Sequence, residues 1–214
     1  MNQNHKPAAT TRDPKRTRRR ILAAALAEFS TKGFAGARVD AIARRTRGNK
    51  RMLYHYFGNK AALFAAVLRY KTTQRHSWAA AAPHDPMKRL PLWFQTACAD
   101  LDWIRLLQWE ALERPAKTMV NGRERRTAAT TCLRRLRRQQ LAGQLSAAFD
   151  LRHVALAMQS LAVFPVAFPQ IVRLTTGQSL DDPKFQTAYR KFLKEFAAAF
   201  RPANGGKKLE LIRQ

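Results

Sequence analysis

The sequence of 214 residues has few cysteines, few acidic residues and no long apolar run. Its two cysteines, Cys98 and Cys132, cannot build a disulfide framework and are not spaced like metal ligands, so we expect reduced thiols. No apolar run approaches the roughly 20 residues that span a bilayer. The run after Arg20 is cut at seven residues by Glu28, which favours an amphipathic helix over a secretory signal. We therefore predict a cytoplasmic protein without a membrane segment.

Motifs of common catalytic centres are missing as well. The sequence contains no glycine-rich phosphate loop, no HExxH and no GxSxG, and its five histidines lack metal-ligand spacing. Carboxylates are too few to suggest an acid/base pair. The sequence therefore offers no support for an enzyme and predicts neither a metal site nor a cofactor.

Positive charge is abundant. Forty Lys and Arg residues against fourteen Asp and Glu residues give a formal net charge of +26. Residues 1–70 hold sixteen basic and three acidic residues, hence +13, and residues 71–214 hold the other twenty-four and eleven, again +13 over twice the length. Such a field attracts polyanions, so nucleic acid is the favoured partner of the first third. A solvated basic surface would account for part of the charge elsewhere.

Apolar residues recur at helical spacing and no window alternates as a strand would, so we predict an all-α fold. Helices are expected up to about Thr31, at 39–45, 49–56, from Asn59 to about 79, and at 87–100, 102–114, 118–144, 150–174 and 182–200. The strong punctuation at Pro83–Pro86 separates two domains. The predicted divisions are a disordered basic arm (1–17), a first helical domain (18–80), a second helical domain (81–201) and a tail (202–214).

Residues 38–60 have the pattern of a helix-turn-helix. Val39, Ile42 and Ala43 share one helix face, and a second apolar-periodic segment follows the break at residues 46–49. In that break Gly48 is free to adopt a positive φ, and Asn49 is suited to cap a new helix. This geometry lays the second helix in a DNA major groove, so the pattern indicates a DNA-reading element.

The same stretch resembles a known family. The run LYHYFGNKAALFAAVL, preceded by RRRILAAALAEFSTKGFAGARVDAIA, is similar to the DNA-binding domain of the TetR family of transcriptional repressors, from about Arg18 to Tyr70. The segments FPQIVRLTTG and DPKFQTAYRKFLKEF are similar to the last two helices of many such regulators. The resemblance implies that residues 18–80 are a helix-turn-helix DNA-binding domain and that residues 81–201 are a helical ligand-binding and dimerisation domain. It implies a homodimer, and a pocket in the second domain whose small-molecule ligand changes the spacing of the two reading heads. It names no ligand.

Two departures from the family pattern bear on the turn and the first helix. Arg47-Gly48 stands where related sequences usually place Gly and then an apolar residue, and a non-glycine residue held at positive φ costs roughly 1 kcal/mol. Arg38 stands where Thr or Ser usually caps the helix, a loss of about 1 kcal/mol.

The expected DNA contacts divide by role. Arg38, Tyr54 and Lys60 are expected to contact phosphates, and Asn49, Lys50 and Arg51 are expected to contact base edges. His55 is expected to contact a phosphate or a base. Met52 is expected to touch a thymine methyl or to pack. A dimer presents two reading helices, so the operator should be a near-palindrome with half-site centres roughly 34–36 Å apart, or at a comparable face-matched spacing.

Two further residue sets are predicted in the second domain. Aromatic density suggests an apolar ligand pocket lined by Trp93, Phe94, Trp103, Leu107, Glu110 and Phe164, and ordinary core is the alternative for each of these residues. Acidic residues nearby favour a cationic ligand or pair with arginines. Apolar stripes on the terminal helices predict a dimer interface that includes Met158, Leu161, Phe168, Phe185, Tyr189, Phe192 and Phe196. The alternative is that these stripes serve only the core of one chain.

The leading hypothesis is therefore a dimeric, ligand-responsive repressor on a double-stranded DNA operator. A regulator without an inducer is the nearest alternative. A general nucleic-acid-binding protein is the next, and sequence-independent affinity would favour it. Binding to a membrane surface ranks last, because the basic residues cluster around a helix-turn-helix.

Overall fold

The computed structural model describes residues 13–81, 83, 85–113 and 118–202. Within these ranges the regular elements are ten α-helices, which confirms the predicted all-α class. They are α1 (Pro14–Gly36), α2 (Val39–Arg45), α3 (Lys50–Phe57), α4 (Lys60–Ala81), α5 (Pro86–Ala99), α6 (Leu101–Glu113), α7 (Gly122–Leu141), α8 (Leu151–Ala167), α9 (Pro169–Thr176) and α10 (Pro183–Ala198).

The chain divides into two compact units between Tyr70 and Lys71, inside α4. Sequence punctuation predicted this division at residues 80/81 instead. The difference arises because the first half of α4 buries Leu63, Phe64 and Val67 in the core of the first unit, although the helix itself continues to Ala81.

The first unit is built around a small aromatic and aliphatic core. Ile21 and Phe29 of α1 are fully buried, as is Ile42 of α2. The ring of Phe64 meets that of Phe29 edge-on, with centroids 5.0 Å apart, which fixes α4 against α1. This core holds α2 and α3 in the helix-turn-helix arrangement that residues 38–60 predict.

The start of α1 corrects the predicted basic arm. Asp13 caps the helix by accepting a hydrogen bond from the backbone N–H of Lys15 at 2.8 Å, and Pro14 occupies the first turn, where its missing N–H is harmless. Residues 14–17 are therefore helical. Residues 1–12 of the predicted arm and residues 203–214 of the predicted tail lie outside the described ranges.

α1 also ends later than the sequence predicts, at Gly36 instead of about Thr31. Gly33 leaves the helical conformation at φ 69°, which agrees with its predicted place at the helix end. A further turn follows to Gly36, so the helix resumes after the break instead of stopping.

In the second unit, α5 packs against both α8 and α10. Leu90 and Phe94 of α5 are buried in this core with Met158 of α8 and Leu193 of α10. Tyr189 of α10 joins the layers, because its ring meets that of Phe94 at 4.8 Å and its hydroxyl donates to the carbonyl oxygen of Leu161 at 3.0 Å.

The single helix predicted over residues 150–174 is two helices. α8 and α9 are bent by 90° where they join, at Phe168. Pro169 has no N–H to continue the hydrogen-bond ladder of α8 and instead begins α9. The kink expected from the prolines is confirmed at Pro169, whereas Pro165 lies inside α8.

No single helix among the described residues is both long and apolar enough to cross a membrane. Only α8 and α9 taken together reach that length and hydropathy, and they do so across the 90° bend.

Candidate nucleic-acid interface

The first helix of the motif, α2, is held against α1 by the buried carboxylate of Glu28. Arg38 at its N-cap makes no side-chain capping bond, so the predicted loss of a cap is confirmed. The backbone N–H of Arg38 instead donates to Oε1 of Glu28 at 3.2 Å. Lys32 Nζ donates to the same oxygen at 2.8 Å, and the Arg45 guanidinium lies 3.8 Å from Oε2. Glu28 thus ties the start of α2 to α1 by a hydrogen bond and forms a longer ion pair with Arg45 in the last turn of α2.

The ionisation of Glu28 follows from these contacts. Burial would by itself raise the pKa of the carboxyl group. The hydrogen bonds from Lys32 and from the Arg38 N–H, with the charges of Lys32 and Arg45, outweigh burial and lower the Glu28 pKa below its ordinary value. Glu28 is therefore ionised at neutral pH, as its anchoring role requires.

The turn between α2 and α3 is held by side chain to backbone hydrogen bonds. The buried hydroxyl of Thr46 donates to the carbonyl oxygen of Ala43 at 2.9 Å, and the Arg20 guanidinium donates to the carbonyl oxygen of Thr46. Arg47, at φ 50°, is the residue in the left-handed region. The sequence assigned that conformation to Gly48, and this assignment is wrong. The positive φ falls on Arg47, where related sequences usually place Gly, so the turn stores the strain of a non-glycine residue, roughly 1–2 kcal/mol.

Gly48 instead lies directly beneath the end of the Met52 side chain. A Cβ atom at this position would lie 2.0 Å from Cε and 3.0 Å from Sδ of Met52. The Met52 side chain therefore folds back over the turn and is only half-exposed. Of the two roles predicted for Met52, packing is the one that this contact supports.

The reading helix α3 is capped and amphipathic. Asn49 Oδ1 accepts a hydrogen bond from the backbone N–H of Met52 at 2.8 Å, which confirms the predicted cap. Leu53 and Phe57 are buried, and the Arg18 guanidinium covers the Phe57 ring at 5.0 Å. The opposite face is exposed and carries Asn49, Lys50, Arg51, Tyr54 and His55. Five of the eight predicted DNA contacts thus share one accessible, largely polar surface.

The other predicted contacts are placed differently. Arg38 is exposed at the start of α2, and Met52 packs on the turn. Lys60 Nζ donates to the carbonyl oxygen of Ala35 at 3.1 Å and lies 5.0 Å from the centre of the Phe34 ring, so it satisfies the end of α1. The N-terminus of α4 is capped by Asn59, whose Oδ1 accepts from the Ala62 N–H at 2.8 Å. A phosphate contact by Lys60 therefore remains a prediction.

The structure adds two candidates that residue-by-residue reasoning missed. Arg44 in the last turn of α2 and Arg47 in the turn are both exposed. In helix-turn-helix proteins the first helix crosses the DNA backbone, which makes these cations suitable for phosphates. The run RRTR at residues 44–47 was the available signal, because it places basic residues where the first helix ends.

The second unit contains a cavity of about 390 Å³. Three of the six predicted ligand residues, Trp93, Trp103 and Leu107, line it. The other described lining residues are Thr72, Arg75, Met119, Arg125, Ala128, Gln159, Ala162 and Val163.

The remaining predicted ligand residues lie outside this lining. Phe94 is buried against Tyr189 in the helical core. Glu110 accepts from Arg125 at 2.6 Å and from the backbone N–H of Val120 at 2.7 Å, so its carboxylate supports the wall from behind. Phe164 points out of the unit, about half exposed, and contacts the ring of Phe168 at 5.1 Å.

The predicted dimer residues separate into inner and outer sets. Met158 and Phe185 are buried within the unit, where they serve the chain's own core. Phe168 and Phe192 are 46% and 44% exposed, so their side chains form an apolar surface on the outside of α8 to α10. Leu161, Tyr189 and Phe196 are intermediate. Rings along α10 contact in series, and the Tyr189–Phe192 and Phe192–Phe196 centroid distances are 5.6 and 5.8 Å.

Both cysteines are free thiols. Burial, with a smaller contribution from the charge of Asp181, raises the pKa of Cys98 to about 11. Burial also raises the pKa of Cys132. These are poor nucleophiles at neutral pH. Among the described residues, no three His, Cys, Asp or Glu side chains group as metal ligands would.

Comparisons with known proteins cover both units. A model of the bacterial regulatory proteins of the tetR family matches residues 21–67, and a model of a tetracyclin repressor-like C-terminal domain matches residues 92–198. The chain is 32% identical to the HTH-type transcriptional repressor SCO4008 of Streptomyces coelicolor over 166 residues, which are 78% of this chain and 86% of that protein. It is 41% identical to the HTH-type transcriptional repressor NicS of Pseudomonas putida over 68 residues, which are 32% of each chain. The crystal structure of SCO4942 from Streptomyces coelicolor superposes with a TM-score of 0.73 at 33% identity, covering 87% of this chain and 98% of that one.

Proposed function

Because the chain belongs to the TetR family of DNA-binding transcriptional regulators, we propose that it represses transcription as a homodimer on a near-palindromic operator in the cytoplasm. Family membership confirms the predictions of a DNA-binding regulator and of a protein that is not an enzyme. The repressor role is proposed from SCO4008 and NicS, which carry that name.

One observation carries the operator-reading proposal, namely the exposed polar face of α3 on a rigidly held helix. Asn49 fixes the helix start, while Leu53 and Phe57 fix its rotation by burial. Lys50 and Arg51 are therefore presented at the N-terminal end, where recognition helices meet base edges. Lys50 Nζ lies 3.5 Å from the exposed carboxylate of Asp40, an ion pair that a guanine or phosphate can replace at little cost.

The proposed phosphate contacts flank this helix. Arg38 and Arg44 lie at the two ends of α2, Arg47 lies in the turn, and Tyr54 is exposed on α3. Because Glu28 and Thr46 hold the backbone of α2 and of the turn, these side chains start from fixed positions. Such contacts set register and orientation without reading sequence.

The second subunit would cover the apolar surface formed by Phe164, Phe168, Ile171 and Phe192. All four side chains are exposed, on the outside of α8, α9 and α10. Exposed aromatic residues contacting one another are unfavourable in water and suit a symmetric helical interface. The cavity in the second unit is the proposed effector site, and a coupling of about 1–3 kcal/mol between effector and DNA is enough for induction.

Selection of bound duplexes from a random DNA pool tests this function. We expect enrichment of a two-fold symmetric sequence whose half-site centres are roughly 34–36 Å apart, or at another face-matched spacing. Binding of the selected duplex and of a scrambled duplex should then differ by at least about 10³-fold at physiological salt. Equal affinity for both would instead indicate a general nucleic-acid-binding protein.

A further inference from the structure

We propose that the cavity of the second unit binds a compact apolar molecule carrying one negative charge, such as an aromatic carboxylate. This inference rests on the proposed effector site and names the chemical class of ligand that the site selects.

The walls of the cavity are mainly apolar. Two indole rings, Trp93 and Trp103, face it together with Leu107, Ala162 and Val163. Its volume of about 390 Å³ is at the lower end of the roughly 300–1,000 Å³ found for small-molecule sites. Flat indole surfaces in a small cavity favour a compact molecule with a ring, which can stack on them.

Two arginines are the charged residues of the described lining. The guanidinium carbon atoms of Arg75 and Arg125 each lie 5.6 Å from the centre of the Trp103 ring. Both side chains are mostly buried, with exposed fractions of 25% for Arg75 and 19% for Arg125. A ligand that stacks near Trp103 therefore comes within reach of two cations that solvent screens only partly.

The carboxylates near the cavity already have partners. Glu110 pairs with Arg125 at 2.6 Å, and Asp100 pairs with Lys71 at 2.6 Å. Asp100 is shared with Arg75, which lies 3.8 Å from its second oxygen. Three cations thus share two carboxylates, which leaves this set one positive charge in excess.

The excess charge falls on Arg75. Burial lowers the pKa of its guanidinium, and the charge of Asp100 opposes this shift only in part. Among the described residues that line the cavity, two are arginines and none is acidic. A cationic ligand, the alternative suggested by the acidic residues in the sequence, would meet repulsion here, whereas a monoanion would complete the pairing of Arg75.

A charge series of one ring system tests the class of ligand on the full-length wild-type protein. The probes are 2-naphthoate, the neutral 2-naphthamide and the cationic 2-naphthylmethylammonium, and their dissociation constants are measured by titration calorimetry. We expect the carboxylate to bind at least about tenfold more tightly than the amide, and the ammonium to bind most weakly. Equal or tighter binding of the amide or the ammonium would overturn the proposal, as would the absence of binding by all three at millimolar concentration.

A pair of variants locates the charge. Arg75→Gln should weaken naphthoate binding about tenfold and change naphthamide binding less than about twofold, since Lys71 still pairs with Asp100 in this variant. Arg126→Gln is the matched control, because Arg126 is exposed on α7 beside Arg125 and is not part of the lining. Equal effects of both substitutions would place the selectivity in the general basic field and would contradict the assignment to Arg75. Arg125 is left intact, because its loss would leave Glu110 buried without its cation.

DNA binding separates this inference from the proposed function. If naphthoate binds as expected but does not change affinity for the selected operator, the cavity chemistry stands and the effector role fails. If the operator is bound and the charge series shows no preference for the anion, the regulator stands and the ligand class is wrong.

Discussion

The two units of this protein organise recognition in opposite ways. In the first unit, the candidate DNA-reading side chains are neighbours in sequence and lie on the exposed face of one short helix, α3. In the second unit, the candidate effector cavity is built from five helices, α4 to α8, so that its parts lie far apart in sequence. The comparison shows that the residues of a surface reader can come from one short segment, whereas a cavity requires that several packed helices agree in position.

The same contrast appears in how charge is managed. The first unit directs its basic side chains outward and keeps one carboxylate, Glu28, as an internal anchor. The second unit brings arginines inward and pairs them with Asp100 and Glu110. Exposed cations suit a polyanion that approaches from solvent, and partly buried cations suit a small anion that enters a cavity.

The largest expected effect concerns the proposed dimer interface. Phe168→Glu would place an uncompensated charge in the proposed dimer interface, at about 3–5 kcal/mol per buried charge. We expect a monomer in sedimentation velocity and loss of binding to the two-fold operator. Leu112→Glu is the control, because Leu112 is 78% exposed on α6 and does not belong to the proposed dimer surface. A Phe168→Glu variant that remains a dimer would place the interface elsewhere.

The anchoring of α2 should be the next largest effect. Glu28→Gln removes the charge that holds Arg38, Lys32 and Arg45, and should lower the free energy of unfolding at pH 7 by about 1.5–3 kcal/mol. The folded-state pKa of Glu28 lies below its ordinary value of 4.5, so this stabilisation is present above that pH and is lost as pH falls through the folded pKa.

Denaturant melts of wild type and Glu28→Gln across pH 3–7 provide the measurement. The difference between the two proteins should be constant near neutrality and should shrink in acid. A difference that does not depend on pH would show that the charge of Glu28 does not hold α2.

Reading by α3 is tested by Arg51→Ala. A bidentate contact to a base is worth about 1–3 kcal/mol, so affinity for the selected operator should fall by that amount while affinity for a scrambled duplex changes less. Fluorescence anisotropy measures the affinity for each of the two duplexes. Lys191→Ala serves as the control, since Lys191 is 80% exposed on α10. An equal loss on both duplexes would reassign Arg51 to phosphate.

The smallest effect concerns the strained turn. Arg47→Gly should raise the free energy of unfolding by about 1 kcal/mol, because glycine adopts the observed φ of 50° without a steric penalty. Arg44→Gly is a control of opposite sign, since Arg44 is helical and glycine there costs roughly 0.5–1 kcal/mol. Thermal melts distinguish the two. If both variants lose stability, the strain assigned to Arg47 is absent.

The salt dependence of DNA binding should also become shallower in each variant, by about 0.9 in the log–log slope per lost phosphate contact.

Much of the first unit could be read from the sequence because its determinants are local. The bounds of α2, the cap of α3 at Asn49 and the burial of Leu53 and Phe57 agree with residue periodicity and capping preference. The left-handed residue was assigned to Gly48 instead of Arg47, because the conformation of a turn depends on what packs against it. Here Arg47 takes the positive φ, and the Met52 side chain packs over Gly48.

The second unit shows which features could not be predicted from the sequence. Periodicity identified its apolar residues but did not say which neighbour each one meets, so Phe94 and Phe164 were placed in a cavity that neither lines. Its acidic residues suggested either a cationic ligand or pairing with arginines, and the sequence could not decide between them. Asp100 pairs with Lys71 and Glu110 pairs with Arg125. Helical spacing, capping and family resemblance are properties of contiguous residues, and the sequence alone determined them. The sign of charge in the cavity, and the division of α10 into buried and exposed faces, depend on distances between residues remote in the chain, and only the tertiary structure decided them.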